Sequence, residues 1–186
     1  MLIVITGPSG VGKTTIINSL IEANPNLKYS VSMTTRKPRQ NEKNGVDYYF
    51  ISDEEFKDKI RKGELAEWSE VYEKFYGRSK HELEELSKNH DVLVGIDVQG
   101  AIKLREIYPH GVFIFILPKS IEALEKQLRG RGTDDESSIK TRLDKALQEI
   151  EKADNFDYKV VNDIVERAVK EIQLIIKEKG VYINER

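Results

Sequence analysis

Short apolar runs along this chain alternate with stretches whose apolar residues recur at helical spacing. Five of the runs are predicted to form buried strands, at residues 2–5, 27–32, 92–96, 112–117 and 158–161. Between them, apolar positions separated by three or four residues predict amphipathic helices. Because such alternation is typical of an α/β fold, we expect a five-stranded parallel sheet with helices on both faces.

Polar residues mark the expected ends of two of these helices. Ser120 is predicted to cap one helix by accepting a hydrogen bond from a backbone N–H group. Asp163 and Glu166 have the spacing of a capping box and predict the start of the last helix, with Ile164 on its buried stripe. Gly180 is predicted to end that helix.

Residues 33–90 interrupt the alternation. The pattern here predicts a small insertion of mixed β structure, made mostly of short strands with one helix near residues 53–62, attached to the main sheet. Charged residues are interleaved with a group of aromatic residues: Tyr48, Tyr49, Phe50, Phe56, Trp68, Tyr72, Phe75 and Tyr76. They are expected to form either a substrate-binding surface or an ordinary aromatic core with a solvated charged face.

Composition narrows the class of protein. A chain of 186 residues with 39% hydrophobic and 33% charged residues is typical of one soluble globular domain. The net charge of −2 gives no basic field, so we expect neither nucleic acid nor a membrane as partner. The absence of cysteine excludes disulfides, thiolate zinc sites and a cysteine nucleophile. Because the chain begins with its first strand and has no long apolar run, a cytoplasmic location is expected.

The segment after the first strand carries the clearest chemistry. Gly7, Gly12, Lys13 and Thr14 occupy the fixed positions of the P-loop pattern GxxxxGK(S/T), between a predicted strand and a predicted helix. Lys13 would contact the β- and γ-phosphates of a nucleoside triphosphate, and the Thr14 hydroxyl would bind Mg²⁺. The candidate ATP-binding residues of this loop are Gly7, Pro8, Ser9, Gly10, Val11, Gly12, Lys13, Thr14 and Thr15.

Seven further segments, in this order behind a P-loop, resemble the guanylate kinase family of nucleoside monophosphate kinases. They are residues 32–39, 45–50, 66–68, 75–77, 96–100, 130–133 and 161–163. The resemblance implies that ATP and Mg²⁺ are used to phosphorylate GMP, giving ADP and GDP. It also implies a P-loop core at 1–32, 82–124 and 151–186, a GMP-binding domain at 33–81 and a helical lid at 125–150.

The resemblance assigns the phosphate of GMP to residues of the insertion. Arg36 and Arg39 are expected to grip phosphate oxygens, because a guanidinium offers two parallel donors. Tyr48 and Tyr76 are expected to donate phenolic hydrogen bonds to the same group. The sequence does not identify protein partners of the chain.

The resemblance assigns the guanine base to two other side chains. Glu67 matches the carboxylate that accepts hydrogen bonds from N1–H and N2–H, and Ser32 can donate to O6. Adenine has the opposite pattern at these edges, so its acceptors would be left unpaired. Asp97, at the end of a predicted strand, is a candidate both for the GMP site and for holding Mg²⁺ or its waters.

The remaining implied roles concern ATP. Arg131, between two glycines, and Arg142 are expected to close over the phosphates and act with Lys13 in catalysis. Arg131 and Asn162 are also candidate ATP-binding residues, with Asn162 near the adenine. No general base is required, since the second pKa of a phosphate monoester is about 6 and the attacking oxygen is already ionised at neutral pH.

Two positions depart from the family pattern. Arg78 stands where a serine or threonine usually helps to hold guanine, and Gly95 stands where an acid usually precedes Asp97 by two residues. We expect activity to survive with altered or weaker GMP affinity. Two alternatives remain: a protein-interaction module that keeps the fold, and a related P-loop kinase with another phosphorylated acceptor.

Overall fold

The computed structural model describes residues 1–130 and 136–180. Within these ranges the chain forms nine strands: β1 (Leu2–Thr6), β2 (Leu27–Tyr29), β3 (Met33–Thr34), β4 (Tyr49–Phe50), β5 (Leu65–Val71), β6 (Lys74–Ser79), β7 (Asp91–Gly95), β8 (Val112–Pro118) and β9 (Tyr158–Asn162). It also forms seven α-helices: α1 (Lys13–Ala23), α2 (Asp53–Arg61), α3 (Lys80–Asn89), α4 (Val98–Ile107), α5 (Ile121–Arg129), α6 (Glu136–Ile150) and α7 (Val165–Glu178).

The predicted five-stranded parallel sheet is confirmed, in the order β2-β7-β1-β8-β9. Its central strand is β1, whose side chains alternate between the two faces. Ile3 and Ile5 pack with residues of α1 and α7 in one core cluster. Leu2 and Val4 pack in a second cluster on the opposite face, with residues of α3 and α4. Because both faces are covered, every residue of β1 is buried.

The predicted insertion is also confirmed as a second, mixed sheet of four strands in the order β4-β3-β6-β5. Strands β5 and β6 form an antiparallel hairpin, and β3 pairs antiparallel with β6 but parallel with β4. Helix α2 covers this sheet with Phe56, whose ring stacks on Phe75 with centroids 5.4 Å apart. The insertion therefore has a small core of its own.

The strand predicted at residues 27–32 is shorter than expected. Strand β2 ends at Tyr29, and the next residues leave the edge of the large sheet for the small one. The last link to the large sheet is the Ser30 N–H, which donates to the Leu93 carbonyl oxygen at 3.1 Å. Ser32 consequently lies between the two sheets rather than within a strand.

The two predicted helix starts have different outcomes. The Ser120 hydroxyl accepts from the Ala123 N–H at 3.2 Å, so its capping role is confirmed. The capping box at Asp163 is wrong: Ile164 occupies the cap position, and Asp163 instead accepts from the Ile164 N–H and pairs with Arg167. Ile164 is 49% exposed, because the helix starts one residue later than the pattern suggested.

Within the described residues, no helix has both the length and the apolar composition to cross a lipid bilayer.

The C-terminal end of α7 agrees with the sequence, since Gly180 has a left-handed φ of 83° and its N–H bonds to the Lys177 carbonyl.

Candidate active site

The P-loop connects the buried end of β1 to the first turn of α1, as the sequence predicts. Gly7 and Gly12 have φ angles of 139° and 92°, in the region that favours glycine. A Cβ atom at Gly7 would clash with the Ile116 carbonyl oxygen, and one at Gly12 would lie 2.6 Å from Asn162 Nδ2. Glycine is therefore required by close packing as well as by backbone conformation.

Two charged side chains hold this loop. Lys13 Nζ donates to the carbonyl oxygens of Gly7 at 2.6 Å and Pro8 at 3.1 Å. Arg142 Nη2, on α6, donates to Ser9 Oγ at 2.9 Å. The lysine and arginine expected to act on the phosphates thus both contact this loop.

Asn162 lies beside the loop as well. Its Nδ2 donates to the Val11 carbonyl oxygen at 2.8 Å, across the end of β9. The sequence assigned it to adenine, whereas in this structure its amide supports the P-loop backbone. The two uses are compatible, since the amide group has a second N–H and an oxygen.

One cavity of about 700 Å³ runs from the P-loop to the small sheet. It brings together most of the side chains that the sequence indicated, and its lining includes Ser9, Gly10, Gly12, Lys13, Thr14, Thr15, Ser32, Arg36, Arg39, Tyr48, Glu67, Tyr76, Asp97 and Arg142. Gly7, Pro8 and Val11, also in the loop, are buried and are not part of the lining. Arg131 lies outside the described residues, so its predicted role stays a prediction.

One end of the cavity is cationic and aromatic. The guanidinium of Arg36 lies over the Tyr48 ring, 5.3 Å from its centroid, and Tyr48 meets Tyr76 edge-on at 6.0 Å. Burial raises the pKa of Tyr48 to about 12, so its hydroxyl is a hydrogen-bond donor at neutral pH. Arg39 is exposed at the rim. These groups suit a phosphate.

Glu42 is a part of this end that the sequence did not indicate. Its two carboxylate oxygens accept from Nη1 and Nη2 of Arg36, both at 2.8 Å, and Oε2 also accepts from the Arg39 N–H at 2.7 Å. The carboxylate thus fixes the orientation of Arg36 and takes one hydrogen of each Nη, while Nη1 also donates to the Lys37 carbonyl oxygen at 2.8 Å. A phosphate would therefore meet the remaining donors of this guanidinium. Its position six residues after Arg36 was the only available signal.

The other end of the cavity carries Ser32 and Glu67, which are 6% and 5% exposed. Burial raises the pKa of Glu67 to about 7, against the opposing effect of Arg78; Asp97 raises it further and Lys103 lowers it. Among the described residues the carboxylate has no hydrogen-bond partner. A donor such as a base N–H would therefore meet an acceptor that nothing else satisfies.

Asp97 is held tightly at the start of α4. Its Oδ1 accepts from the N–H groups of Gln99 and Gly100 at 2.9 and 3.0 Å, and its Oδ2 accepts from Ser69 Oγ at 2.5 Å. Ser69 was not indicated by the sequence, because only the fold brings it to Asp97. Within residues 1–130 and 136–180, no group of three or more His, Asp or Glu residues is arranged to hold a metal ion.

Comparison with known proteins agrees with this geometry. The sequence profile of the family named guanylate kinase matches residues 1–179. A guanylate kinase of Clostridioides difficile is 46% identical over 180 residues, covering 96% of this chain and 88% of its own. A guanylate kinase of Caldanaerobacter subterraneus is 47% identical over 177 residues, covering 95% and 86% of the two chains.

Solved structures show the same likeness in three dimensions. A guanylate kinase from Anaplasma phagocytophilum superposes with a TM-score of 0.80 and 36% identity, covering 98% of this chain and 87% of that one. A shikimate kinase from Bacteroides thetaiotaomicron, at 16% identity and a TM-score of 0.56 over 95% and 98% of the two chains, shares the fold alone. By sequence along its length and by structure, this chain belongs to the guanylate kinase family.

Proposed function

We propose that this protein transfers the γ-phosphoryl group of ATP to GMP, giving ADP and GDP. The observation that carries the proposal is a cavity that is lined by both the P-loop and a buried serine–carboxylate pair. Ser32 and Glu67 offer a donor and an acceptor that match guanine O6 and its N1–H and N2–H groups. Membership of the guanylate kinase family supports the same reaction.

In the proposed reaction an ionised oxygen of the GMP phosphate attacks the γ-phosphorus of ATP. A bond forms between them while the bond from the γ-phosphorus to the bridging oxygen of ADP breaks, and no proton needs to move. The protein supplies position and positive charge. Arg36 and Arg39 hold the acceptor phosphate, and Lys13 and Arg142 stabilise charge on the group in transfer.

Mg²⁺ is part of the proposal. Thr14 is exposed in the first turn of α1 and lines the cavity, and Asp97 lines it at the start of α4. Both offer oxygen, the ligand type that Mg²⁺ takes, although the Asp97 oxygens already accept three hydrogen bonds and fit contact through water best. When bound, the ion would neutralise charge on the β- and γ-phosphates.

The division into parts follows from the same proposal. Residues 33–81 would bind GMP, residues 125–150 would form the lid, and the rest would form the core. Arg131, in the lid, would join Arg142 over the phosphates and contact ATP together with Asn162. The cytoplasmic location stays a prediction.

The experiment is a steady-state assay of ADP production with ATP and Mg²⁺ against GMP, dGMP, AMP, CMP, UMP and a ribose phosphate in separate reactions. We expect turnover with GMP and dGMP only. Lys13→Met should abolish it, whereas Lys28→Met, which removes an exposed lysine of β2, should leave it unchanged. Turnover with another acceptor would instead favour the related-kinase alternative.

A binding measurement separates the enzyme from an interaction module. ATP with Mg²⁺ and GMP should each raise the melting temperature of the wild-type protein, because a ligand that binds only the folded state stabilises it. A protein that catalyses nothing and whose melting temperature ignores ATP would contradict the proposed reaction.

A further inference from the structure

Arg78 is the largest side chain in the described chain that is completely buried. It lies on β6, next to the end of the cavity that carries Ser32 and Glu67, called here the base end. Its Nη1 donates to the Ser30 carbonyl oxygen, and its Nη2 donates to Ser32 Oγ at 2.7 Å and to the Gly95 carbonyl oxygen at 3.3 Å. Burying a guanidinium costs free energy unless the group is paired, so the partners of Arg78 must offset that cost.

The charge partner of Arg78 is Glu67. Arg78 Nε lies 3.8 Å from Glu67 Oε1, a distance that permits an ion pair but is too long for a hydrogen bond. Three charged groups act on the Glu67 carboxylate: Arg78 on β6, Asp97 at the start of α4 and Lys103 within α4. Arg78 is completely buried at 0% exposure, whereas Lys103 is exposed, so Arg78 is the less screened of the two cations.

The contact with Ser32 fixes the direction of a hydrogen bond. A guanidinium has donors and no acceptor, so Ser32 Oγ must accept from Arg78. The single proton of that hydroxyl then remains for a group on the cavity side, where Ser32 is part of the lining. Ser32 is thereby a donor toward the ligand.

We infer that Arg78 is a positioning residue that fixes the hydrogen-bonding polarity of the base end, with Ser32 as donor and Glu67 as ionised acceptor. This inference rests on the proposed function and deepens it. A purine with an acceptor at C6 and donors at N1 and N2 fits this arrangement, whereas a C6 amino group meets the Ser32 proton. Arg78 itself is not part of the cavity lining and acts through the other two side chains.

The test compares wild type with Arg78→Met and Arg78→Lys, using GMP, IMP and AMP as acceptors between pH 5.5 and 8.5. Methionine keeps much of the buried volume but removes the charge and the donors. We expect Arg78→Met to raise KM for GMP at pH 7 by about tenfold or more, because a buried donor to Ser32 and a cation beside Glu67 are both lost. The kcat value and KM for ATP should change by less than about threefold, since neither depends on the base end.

The pH profile separates positioning from simple packing. The pH below which GMP binding weakens should be higher in Arg78→Met than in wild type, because Glu67 then ionises less readily. The titration of the GMP phosphate is common to both proteins and cancels in the comparison. Arg78→Lys keeps a cation but not the fork, so it should restore the wild-type pH midpoint while the preference for GMP over AMP stays reduced.

The inference is overturned if Arg78→Met leaves both the pH midpoint and the GMP-to-AMP ratio of kcat/KM as in wild type. If Arg78→Met does not fold, Arg78→Lys alone decides, because an unchanged GMP-to-AMP ratio in that variant is equally contrary to the inference. Melting temperature and KM for ATP report folding. A wild-type protein that does not phosphorylate GMP would overturn the proposed function instead, so the two failures are distinct.

Discussion

The guanidinium of Arg78 and the carbonyl oxygen of Gly95 are hydrogen-bond partners, with Nη2 3.3 Å from the oxygen. These are the two positions at which the sequence departs from the pattern of its family, and the fold places them side by side. A Cβ atom at Gly95 would meet the end of the Ile17 side chain and would lie 3.4 Å from the Tyr29 hydroxyl. The two departures therefore form one local feature rather than two independent changes.

This contact predicts that substitutions at the two positions are not additive. Gly95→Asp would bring a carboxylate beside buried Arg78, and the attraction between the two charges would partly offset the cost of the substitution. In the double variant with Arg78→Ser that cation is gone, so this offset is lost. We expect a coupling free energy of about 0.5 kcal/mol or more in denaturant unfolding of the two single variants and the double variant. Strict additivity would show that the positions are independent.

The buried carboxylate of Glu67 predicts a stability that depends on pH. Its pKa is raised from 4.5 to about 7, mainly by burial, so the folded state binds a proton more tightly than the unfolded state. Stability from this group is present below pH 4.5 and is lost as the pH rises to 7, by about 3 kcal/mol. The free energy of unfolding of Glu67→Gln should lack this decline.

The matched control for that measurement is Glu54→Gln, at an exposed position of α2. It should follow the wild-type pH dependence, because Glu67 is unchanged in that variant. Parallel curves for wild type and Glu67→Gln would show that Glu67 is not the group responsible.

The contact between Arg142 and the P-loop predicts a catalytic effect. Arg142→Ala should lower kcat by about a hundredfold, because the donor proposed to stabilise the transferring phosphoryl group is lost. KM for GMP should change little. Arg167→Ala removes an exposed arginine of α7 that pairs with Asp163, and kcat should be unaffected. Equal kcat values in the two variants would exclude a special role for Arg142.

The Arg36–Glu42 pair predicts an effect on the acceptor. Glu42→Gln should raise KM for GMP severalfold and lower the free energy of unfolding by about 1 kcal/mol, because a two-point charged contact is weakened. Glu85→Gln is the control, since its pair with Lys88 is exposed and should contribute little. A lower KM in Glu42→Gln would mean that Glu42 competes with the phosphate instead of orienting Arg36.

The hairpin between β5 and β6 predicts a stabilising substitution. Tyr72 and Glu73 form its two-residue loop and have φ angles of 51° and 59°, which favour glycine or asparagine. Glu73→Gly should raise the free energy of unfolding by about 0.5–1 kcal/mol, because backbone strain is relieved. Glu70→Gly, within β5, should lower it, and a destabilised Glu73→Gly variant would contradict the idea.

The sequence was informative where signals are local. All five strands of the large sheet were found from their apolar runs, and the P-loop from its glycine spacing and flanking elements. Helices α3 and α4 were not predicted. Leu83 is the only fully buried residue of α3, so that helix shows no clear apolar period. In α4, Val98, Ala101 and Leu104 are buried at a spacing of three residues, a short helical signal that was missed.

The sequence was uninformative where the fold brings distant residues together. Ser69 meets Asp97 across 28 positions, and Arg78 meets Ser30 and Ser32 from another strand. Arginine is usually exposed, so nothing in the sequence indicated that this one is completely buried. Family resemblance marked position 78 as unusual, but only the structure shows what the side chain contacts.

Arg78 also has a mechanical consequence. It belongs to the small sheet, whereas Gly95 is the last residue of β7 in the large sheet and Ser30 follows β2 at its edge. The side chain thus cross-links two sheets whose chain connections run close by. Separating the two sheets at Arg78 would expose a buried cation. Rotation of the small sheet against the core therefore costs the least free energy about an axis through Arg78. The base end would then move least.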